Sequence, residues 1–157
     1  MSLEDLKSMD ASQIPIVKLI ALIARSQSIY LNHHLQEFGI SSTHFHLLFE
    51  ISNECNINQE SISKRCNINK GAVARAVKKL EDKGLVRREI DENTRRQNKL
   101  SLTAEGEEIL GKAKAILKKW DDEIILDDGY VEKELLQKVL KEIAVKSMEL
   151  TQGERNG

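Results

Sequence analysis

Hydrophobic residues recur at helical spacing over most of the chain. A first run of three- and four-residue steps covers residues 12–37, with Pro15 in its first turn and Gly39 at its end. Its apolar residues lie on more than one side of the helix, and such a helix usually packs against a second chain as well as its own. They are Ile16, Leu19, Ile20, Ile23, Ile29, Tyr30 and Leu31. We therefore expect a long helix that contributes to a dimer.

Two short helical patterns separated by a turn occupy the middle of the chain. One covers residues 59–66 after Asn58, and the other covers residues 70–83, between Asn69 as N-cap and Gly84 as the helix stop. A third helix, residues 44–52 with Ser42 or Thr43 as its N-cap, precedes them. This order predicts a helix-turn-helix.

The two faces of helix 70–83 differ in chemistry. Val73, Val77 and Leu80 recur on one face and are expected to pack. The opposite face begins with small residues, which let a helix approach the base edges of DNA, and then becomes cationic, which suits phosphates. Its members are Gly71, Ala74, Arg75, Lys78 and Lys79.

A polar hairpin follows these helices. Residues 85–90 and 99–103 alternate as strands, and residues 91–98 between them are polar and rich in turn formers. A two-stranded hairpin is marginal alone and must lean on helices, as a wing does. We therefore predict a winged helix-turn-helix DNA-binding domain over residues 39–103.

The C-terminal third returns to helical spacing. Thr103 caps a helix that reaches about residue 125, residues 127–129 break it, and a last helix covers residues 131–150 before a polar tail that should fray. The predicted fold is mainly α with a small two- to three-stranded β wing. Residues 1–38 and 104–157 form its helical dimerisation region.

The net charge of −1 hides a strong segregation. Residues 64–99 carry twelve Lys and Arg against five Asp and Glu, a net +7, whereas the flanking segments are each −4. A solvated basic face is the ordinary explanation of such a run. Because this one coincides with the helix-turn-helix pattern, we expect double-stranded DNA as the partner.

Other functional classes fit less well. No nucleophile elbow, zinc-protease, P-loop or dinucleotide-binding motif is present, so we expect no enzyme and no cofactor. A helical protein-interaction adaptor would explain the long helices but not the basic block. The steep salt dependence of DNA binding would separate the two.

The sequence also favours a cytoplasmic protein. The N-terminus carries Glu4 and Asp5 and lacks the basic region of a signal peptide, and no uncharged apolar run reaches the roughly 18 residues of a membrane span. The two cysteines are too few for a secreted disulfide framework.

Three motifs resemble the MarR family of regulators. They are residues 69–75 followed by 80–88 (NKGAVAR and LEDKGLVRR), the wing tip from Asp91 to Arg96, and residues 100–106 (LSLTAEG). Thr94 stands where the family wing often has an acid. The resemblance implies a homodimer with interlocking terminal helices that binds a pseudo-palindromic operator. It also implies release from DNA by small phenolic or aromatic acids bound between the helical platform and the DNA lobe.

The candidate DNA contacts divide by role. Arg95 is expected to enter the minor groove, with Arg96 supporting it through phosphate or Asp91. Arg75 is expected to read a guanine edge and the lysines to contact phosphates. The full set is Ser42, Thr43, Asn69, Lys70, Gly71, Ala74, Arg75, Lys78, Lys79, Arg95, Arg96 and Lys99.

A second set would hold an anionic effector. Lys18 and Arg25, seven residues apart, are candidate charge partners, although surface or dimer ion pairs explain them more simply. His33, His34 and His44 could hydrogen-bond a carboxylate or phenol. With no Cys or acid at metal spacing beside them, the histidines predict no metal site.

The cysteines leave one alternative mechanism open. Cys66 reads as a small buried hydrophobe and Cys55 as a loop residue without an activating cation. A redox-responsive regulator of the same fold, using either thiol, is therefore the minority hypothesis. Nothing in the sequence resembles a surface that recruits polymerase, which favours repression over activation.

Overall fold

The computed structural model describes residues 1–90, 92–93, 98–125 and 131–155. These residues form seven α-helices and one antiparallel hairpin, which confirms the predicted fold class. The elements are α1 (Leu3–Ser8), α2 (Ile16–Leu35), α3 (Ser42–Asn53), α4 (Gln59–Cys66), α5 (Lys70–Asp82), β1 (Val86–Ile90), β2 (Asn98–Leu102), α6 (Ala104–Ile124) and α7 (Lys133–Arg155). The chain divides into two compact units, residues 1–118 and 119–157.

The N-terminal segment differs from the sequence prediction. Helix α2 begins at Ile16, four residues later than expected, and Pro15 is its N-cap instead of a first-turn residue. Proline disfavours helical geometry in the residue before it, and Ile14 is accordingly extended, with φ −96° and ψ 119°. The preceding residues form the capped helix α1 and a short 3-10 turn, neither of which was predicted.

The cap of α3 was also assigned wrongly. Ser41 is the N-cap, so Ser42 and Thr43 lie inside the helix, where neither is the N-cap. The Ser41 side chain accepts from the His44 backbone N–H, and the His44 ring accepts from the Ser41 backbone N–H. Sequence reasoning missed this reciprocal pair because the usual partner residue is Glu or Gln.

The helix-turn-helix forms as predicted. Asn67 ends α4 in the left-handed conformation with φ 54°, and its N–H donates to the Ser63 carbonyl. Asn69 caps α5. Gly84 follows α5 with φ +72°, which glycine adopts without the strain a side chain would bring.

The hairpin leans on the loop before α4. Strands β1 and β2 pair in antiparallel register, with Val86 opposite Leu102 and Ile90 opposite Asn98. The Leu100 N–H donates to the Ile57 carbonyl at 2.8 Å, and this single bridge adds the third-strand contact that the prediction allowed.

The core of the first unit joins the end of α2 to helices α3–α6 and the hairpin. Apolar side chains from each element are buried in one cluster. Its fully buried members are Leu31, Leu35, Leu47, Leu48, Ile57, Ile62, Leu80, Leu100, Val73 and Val77. One face of α5 is therefore packed against this core, and its other face is exposed to solvent.

A glycine fixes the junction between the hairpin and α6. The Thr103 side chain caps α6 by accepting from the Gly106 N–H at 3.0 Å, and it donates to the Gly84 carbonyl at 2.6 Å. A Cβ on Gly106 would overlap the Leu85 carbonyl oxygen. The helix can approach β1 this closely only because residue 106 has no side chain.

We predict that Gly106→Ala destabilises the protein. Removing the overlap requires a backbone shift, and overpacking of this kind typically costs about 1–3 kcal/mol of unfolding free energy. Gly111 lies in the same helix with no atom within 4 Å of its Cβ position, so Gly111→Ala should not destabilise. Urea unfolding of both variants tests this, and equal unfolding free energies would contradict it.

In the second unit, α7 is longer than predicted. It extends to Arg155, so the segment 152–155 is helical although it was expected to fray. Gln, Glu and Arg are good helix formers, and the Thr151 hydroxyl also bonds to the Met148 carbonyl. The predicted break at residues 127–129 lies outside the described residues. No helix in the described part of the chain is long and apolar enough to cross a membrane.

Candidate DNA interface

The turn between α4 and α5 fixes where α5 begins. The Asn69 side chain accepts from the Ala72 N–H at 2.7 Å, which satisfies one of the free N–H groups at the start of the helix. The Ser63 hydroxyl donates to the Ile68 carbonyl at 2.6 Å and closes the turn from the α4 side. The positive end of α5 is therefore held in place by short-range bonds.

The exposed face of α5 carries the residues that the sequence analysis predicted to contact DNA. Gly71, Ala74, Arg75, Lys78 and Lys79 are all exposed, while Val73, Ala76, Val77 and Leu80 are buried. The Lys70 and Lys78 side chains are 77% and 72% exposed. The ammonium groups on this face therefore lie at the surface, where they can contact a polyanion without disturbing the core.

Exposed ion pairs hold the lysines loosely. Lys70 and Lys64 lie 3.7 and 3.4 Å from Glu60, and Lys78 lies 3.1 Å from Asp82. The hydrogen bond from Lys64, together with the charge of Lys70, lowers the pKa of the Glu60 carboxyl. Exposed pairs contribute little stability, so phosphates can replace these carboxylates at small cost.

Gly71 leaves the start of α5 open. The atoms nearest to a Cβ at this position are Arg75 Nη1 and Asn69 Oδ1, both at 3.5 Å, which is ordinary contact. Internal packing therefore does not require glycine here, although glycine weakens a helix relative to alanine. The absent side chain leaves this end of the helix surface uncovered.

Arg88 connects the hairpin to α4 and α5 through its side chain, a role that the sequence analysis missed. Its guanidinium lies 3.3 Å from Glu81 of α5. It also donates to the Gln59 side-chain oxygen at 3.0 and 3.1 Å, once the amide is oriented for that bond. Strand alternation could have identified it, because Arg88 shares the inward face of β1 with the buried Val86.

Arg65 performs a similar task between α3 and α4. Its guanidinium pairs with Glu54 and lies 3.6 Å from Glu50. Together with Arg88, it fixes α4 from two sides, so the first helix of the motif is oriented by charge as well as by packing.

Other predicted DNA contacts have mixed outcomes. Arg95 and Arg96 lie outside the described residues. Lys99 is half-buried opposite Glu89 in the hairpin. The Ser42 N–H donates to the Asn32 side chain of α2 at 2.7 Å, so that group is already occupied.

The structure places two of the predicted effector residues, His33 and His34, in contact and separates Lys18 from both. Lys18 and His33 lie in one continuous helix, fifteen residues apart, which places them about 22 Å apart along its axis. His34 stacks at 4.3 Å on Tyr30 and at 5.2 Å on His33. Within the described residues, neither Lys18 nor Arg25 forms a hydrogen bond with these rings, and His44 is engaged in the α3 cap.

Neither cysteine is paired with the other. Burial raises the pKa of the Cys66 thiol, and the Glu50 carboxylate acts in the same direction. A thiol with a raised pKa is a poor nucleophile near neutral pH. Cys55 is exposed in the loop after α3.

Comparisons with known proteins agree with this architecture. The MarR family model matches residues 40–97. A MarR transcriptional regulator from Methanosarcina mazei is 31% identical, with 86% of this chain and 97% of that one covered and a TM-score of 0.77. The HTH-type transcriptional regulator BilQ of Clostridioides difficile is 25% identical over 68% of this chain and 72% of its own length.

The fold also recurs at lower identity. The S. aureus MepR–DNA complex covers 87% of this chain and 98% of MepR, with 18% identity and a TM-score of 0.74. The motifs of α5 and the hairpin, the winged helix architecture and the near full-length match at 31% identity agree with one another. The chain belongs to the MarR family of transcriptional regulators, with a DNA-binding fold.

Proposed function

We propose that this regulator binds a specific pseudo-palindromic operator as a homodimer and represses transcription from it. The observation that carries the proposal is α5, the proposed recognition helix, which has one packed face and one open cationic face that starts at Gly71. A helix of this shape fits the major groove of B-DNA. MepR, which shares the fold, has been solved in complex with DNA.

The contacts divide between specificity and affinity. Arg75, exposed about one turn of α5 after Gly71, is the residue proposed to read a guanine edge, because a guanidinium matches guanine O6 and N7. Lys70, Lys78 and Lys79 are proposed to bind phosphates, which add affinity but little sequence preference. Arg95 in the minor groove, supported by Arg96, stays a prediction from the hairpin sequence.

A homodimer follows from apolar surface that one chain leaves uncovered. On α2, the side chains of Ile16, Val17, Ile20, Ile23 and Ile29 are all more than 40% exposed. A two-fold dimer would cover such a surface and present two recognition helices to half-sites about 34 Å apart.

Release by a small aromatic anion is the proposed switch, supported by the family resemblance. The length of α2 restricts the pocket, because one small acid in one subunit cannot contact both Lys18 and His33. If the effector and the operator favour different spacings of the two DNA-binding lobes, each must lower the affinity for the other by the same factor. Redox control by Cys66 is disfavoured by its raised thiol pKa.

The test is a salt titration of Arg75→Ala against the wild type. Wild-type affinity for operator duplex should fall steeply with salt, since each phosphate contact releases counterions. Arg75→Ala should lose about 1–3 kcal/mol and its preference at one base pair in each half-site. A salt-independent wild type would favour the adaptor hypothesis, and unchanged specificity would remove Arg75 from base reading.

A further inference from the structure

The capping box of α3 contains a titratable ring. Its N-cap Ser41 donates its backbone N–H to His44 Nδ1 at 3.0 Å, and the Ser41 hydroxyl lies 2.9 Å from the same nitrogen. Nδ1 can accept from a backbone N–H only while the imidazole is neutral, with its proton on Nε2. The usual Glu or Gln at this position imposes no such condition near neutral pH.

The ring lies where three helices meet. His44 is 8% exposed, and Lys79 of α5 and Lys83, the C-cap of that helix, both act on it electrostatically. The Lys83 ammonium is close enough to the segment before α3 that it would lie 2.5 Å from a Cβ on Gly39. From α2, Asn32 accepts from the Ser42 N–H.

The charges around the ring all oppose its protonation. Burial is the largest cause that lowers the pKa of His44, and the charges of Lys79 and Lys83 lower it further. The N-terminus of α3 is the positive end of its dipole. On α2, the neighbouring residues Asn32 and His33 supply no negative charge that could favour a protonated His44.

We propose that neutral His44 is a positioning residue for DNA binding, which keeps the α3 N-terminus and α5 in the arrangement that fits the operator. Protonation would set an N–H against the Ser41 N–H and place a third cation beside Lys79 and Lys83. Both effects separate α5 from the α3 N-terminus and weaken binding. The inference rests on the proposed function of α5.

The direction with pH follows from linkage. The unfolded ring titrates near pH 6.5 and the folded ring at a lower pH, so the unfolded state binds more protons between the two. The stabilisation by His44 is complete above pH 6.5 and is lost as the pH falls towards the folded pKa. Histidine protonation elsewhere adds positive charge and should strengthen DNA binding, so a loss attributable to His44 has the opposite sign.

The test is His44→Gln, which restores the standard capping box without the titration. Affinity for one operator duplex is measured for both proteins at constant ionic strength between about pH 8 and pH 5.5. The ratio of wild-type Kd to variant Kd should rise severalfold on acidification, because only the wild type has a ring at position 44 that can take up a proton. His46→Gln, which removes an exposed histidine of α3 outside the capping box, should retain the weakening of binding on acidification.

The outcomes are distinguishable. Parallel pH profiles for wild type and His44→Gln would overturn the role of His44 while leaving the proposed function intact. Absence of salt-dependent DNA binding at pH 8 in the wild type would overturn the proposed function itself. If His44→Gln does not fold, His44→Glu supplies the other standard capping residue, and NMR titration of the wild-type ring must still give a pKa below 6.5.

Discussion

Replacing Gly71 with leucine should abolish tight operator binding without unfolding the protein. The Cβ position of Gly71 has no internal contact closer than 3.5 Å, so the folded chain can accommodate a larger side chain. The residue lies in the first turn of α5, on the face that also carries Arg75 and Lys78. A side chain there would hold the helix away from the base edges.

The expected loss is large because several contacts would lengthen together. Two base or phosphate contacts at about 1–3 kcal/mol each correspond to roughly 100-fold weaker binding or more. Unfolding free energy should stay level or rise by up to about 1 kcal/mol, since glycine is a poor helix residue. Gly71→Ala should lie between wild type and Gly71→Leu in affinity.

Gly111→Leu is the matched control. Gly111 also lies in a helix, and no atom outside that helix's own backbone lies within 4 Å of its Cβ position, but it belongs to α6 and not to the proposed DNA interface. Sedimentation must show that Gly111→Leu keeps the oligomeric state of the wild type, because α6 belongs to the predicted dimerisation region. Fluorescence anisotropy with operator duplex and urea unfolding measure the two properties separately. Wild-type affinity in Gly71→Leu would show that α5 does not approach DNA through its first turn.

The elements nearest the interface were predictable because their signals are local. Asn69, the spacing of Val73 and Val77, and Gly84 together define α5, and the structure places its ends within one residue of the prediction. Thr103 likewise predicted the start of α6, and its side chain accepts a hydrogen bond from the Gly106 N–H three residues later. Caps, helical periods and glycine stops act within a few residues, so one sequence is enough to find them.

The features that the sequence did not reveal depend mostly on residues that are distant along the chain. The requirement for glycine at position 106 comes from the Leu85 carbonyl, twenty-one residues earlier, and no local pattern reveals that approach. The effector set, which was inferred from resemblance, stays a prediction, and the rise along α2 only separates Lys18 from His33 within one chain. The cap at Ser41 was missed for a different reason, because histidine replaces the usual residue at position 44.

Replacing Ile23 with aspartate should convert a homodimer into monomers and remove operator binding. Ile23 is 55% exposed in the single chain and shares one side of α2 with Ile16 and Ile20. In a two-fold interface each substitution appears twice, so two carboxylates would have to be desolvated together. At several kcal/mol per buried unpaired charge, dimerisation should weaken by at least about 1,000-fold.

The same substitution at Ile90 is the control. Ile90 is 72% exposed, more than Ile23, but it is the last residue of β1 in the hairpin and does not belong to α2. Sedimentation should show a dimer for the wild type and for Ile90→Asp at micromolar concentration, and a monomer for Ile23→Asp with its helical circular dichroism retained. Obligate interfaces bury about 2,000 Å² or more, so a wild type that sediments as a monomer would mean that the exposed face of α2 has another partner. Loss of half-site cooperation on the operator should accompany dissociation, because one recognition helix cannot occupy two major grooves.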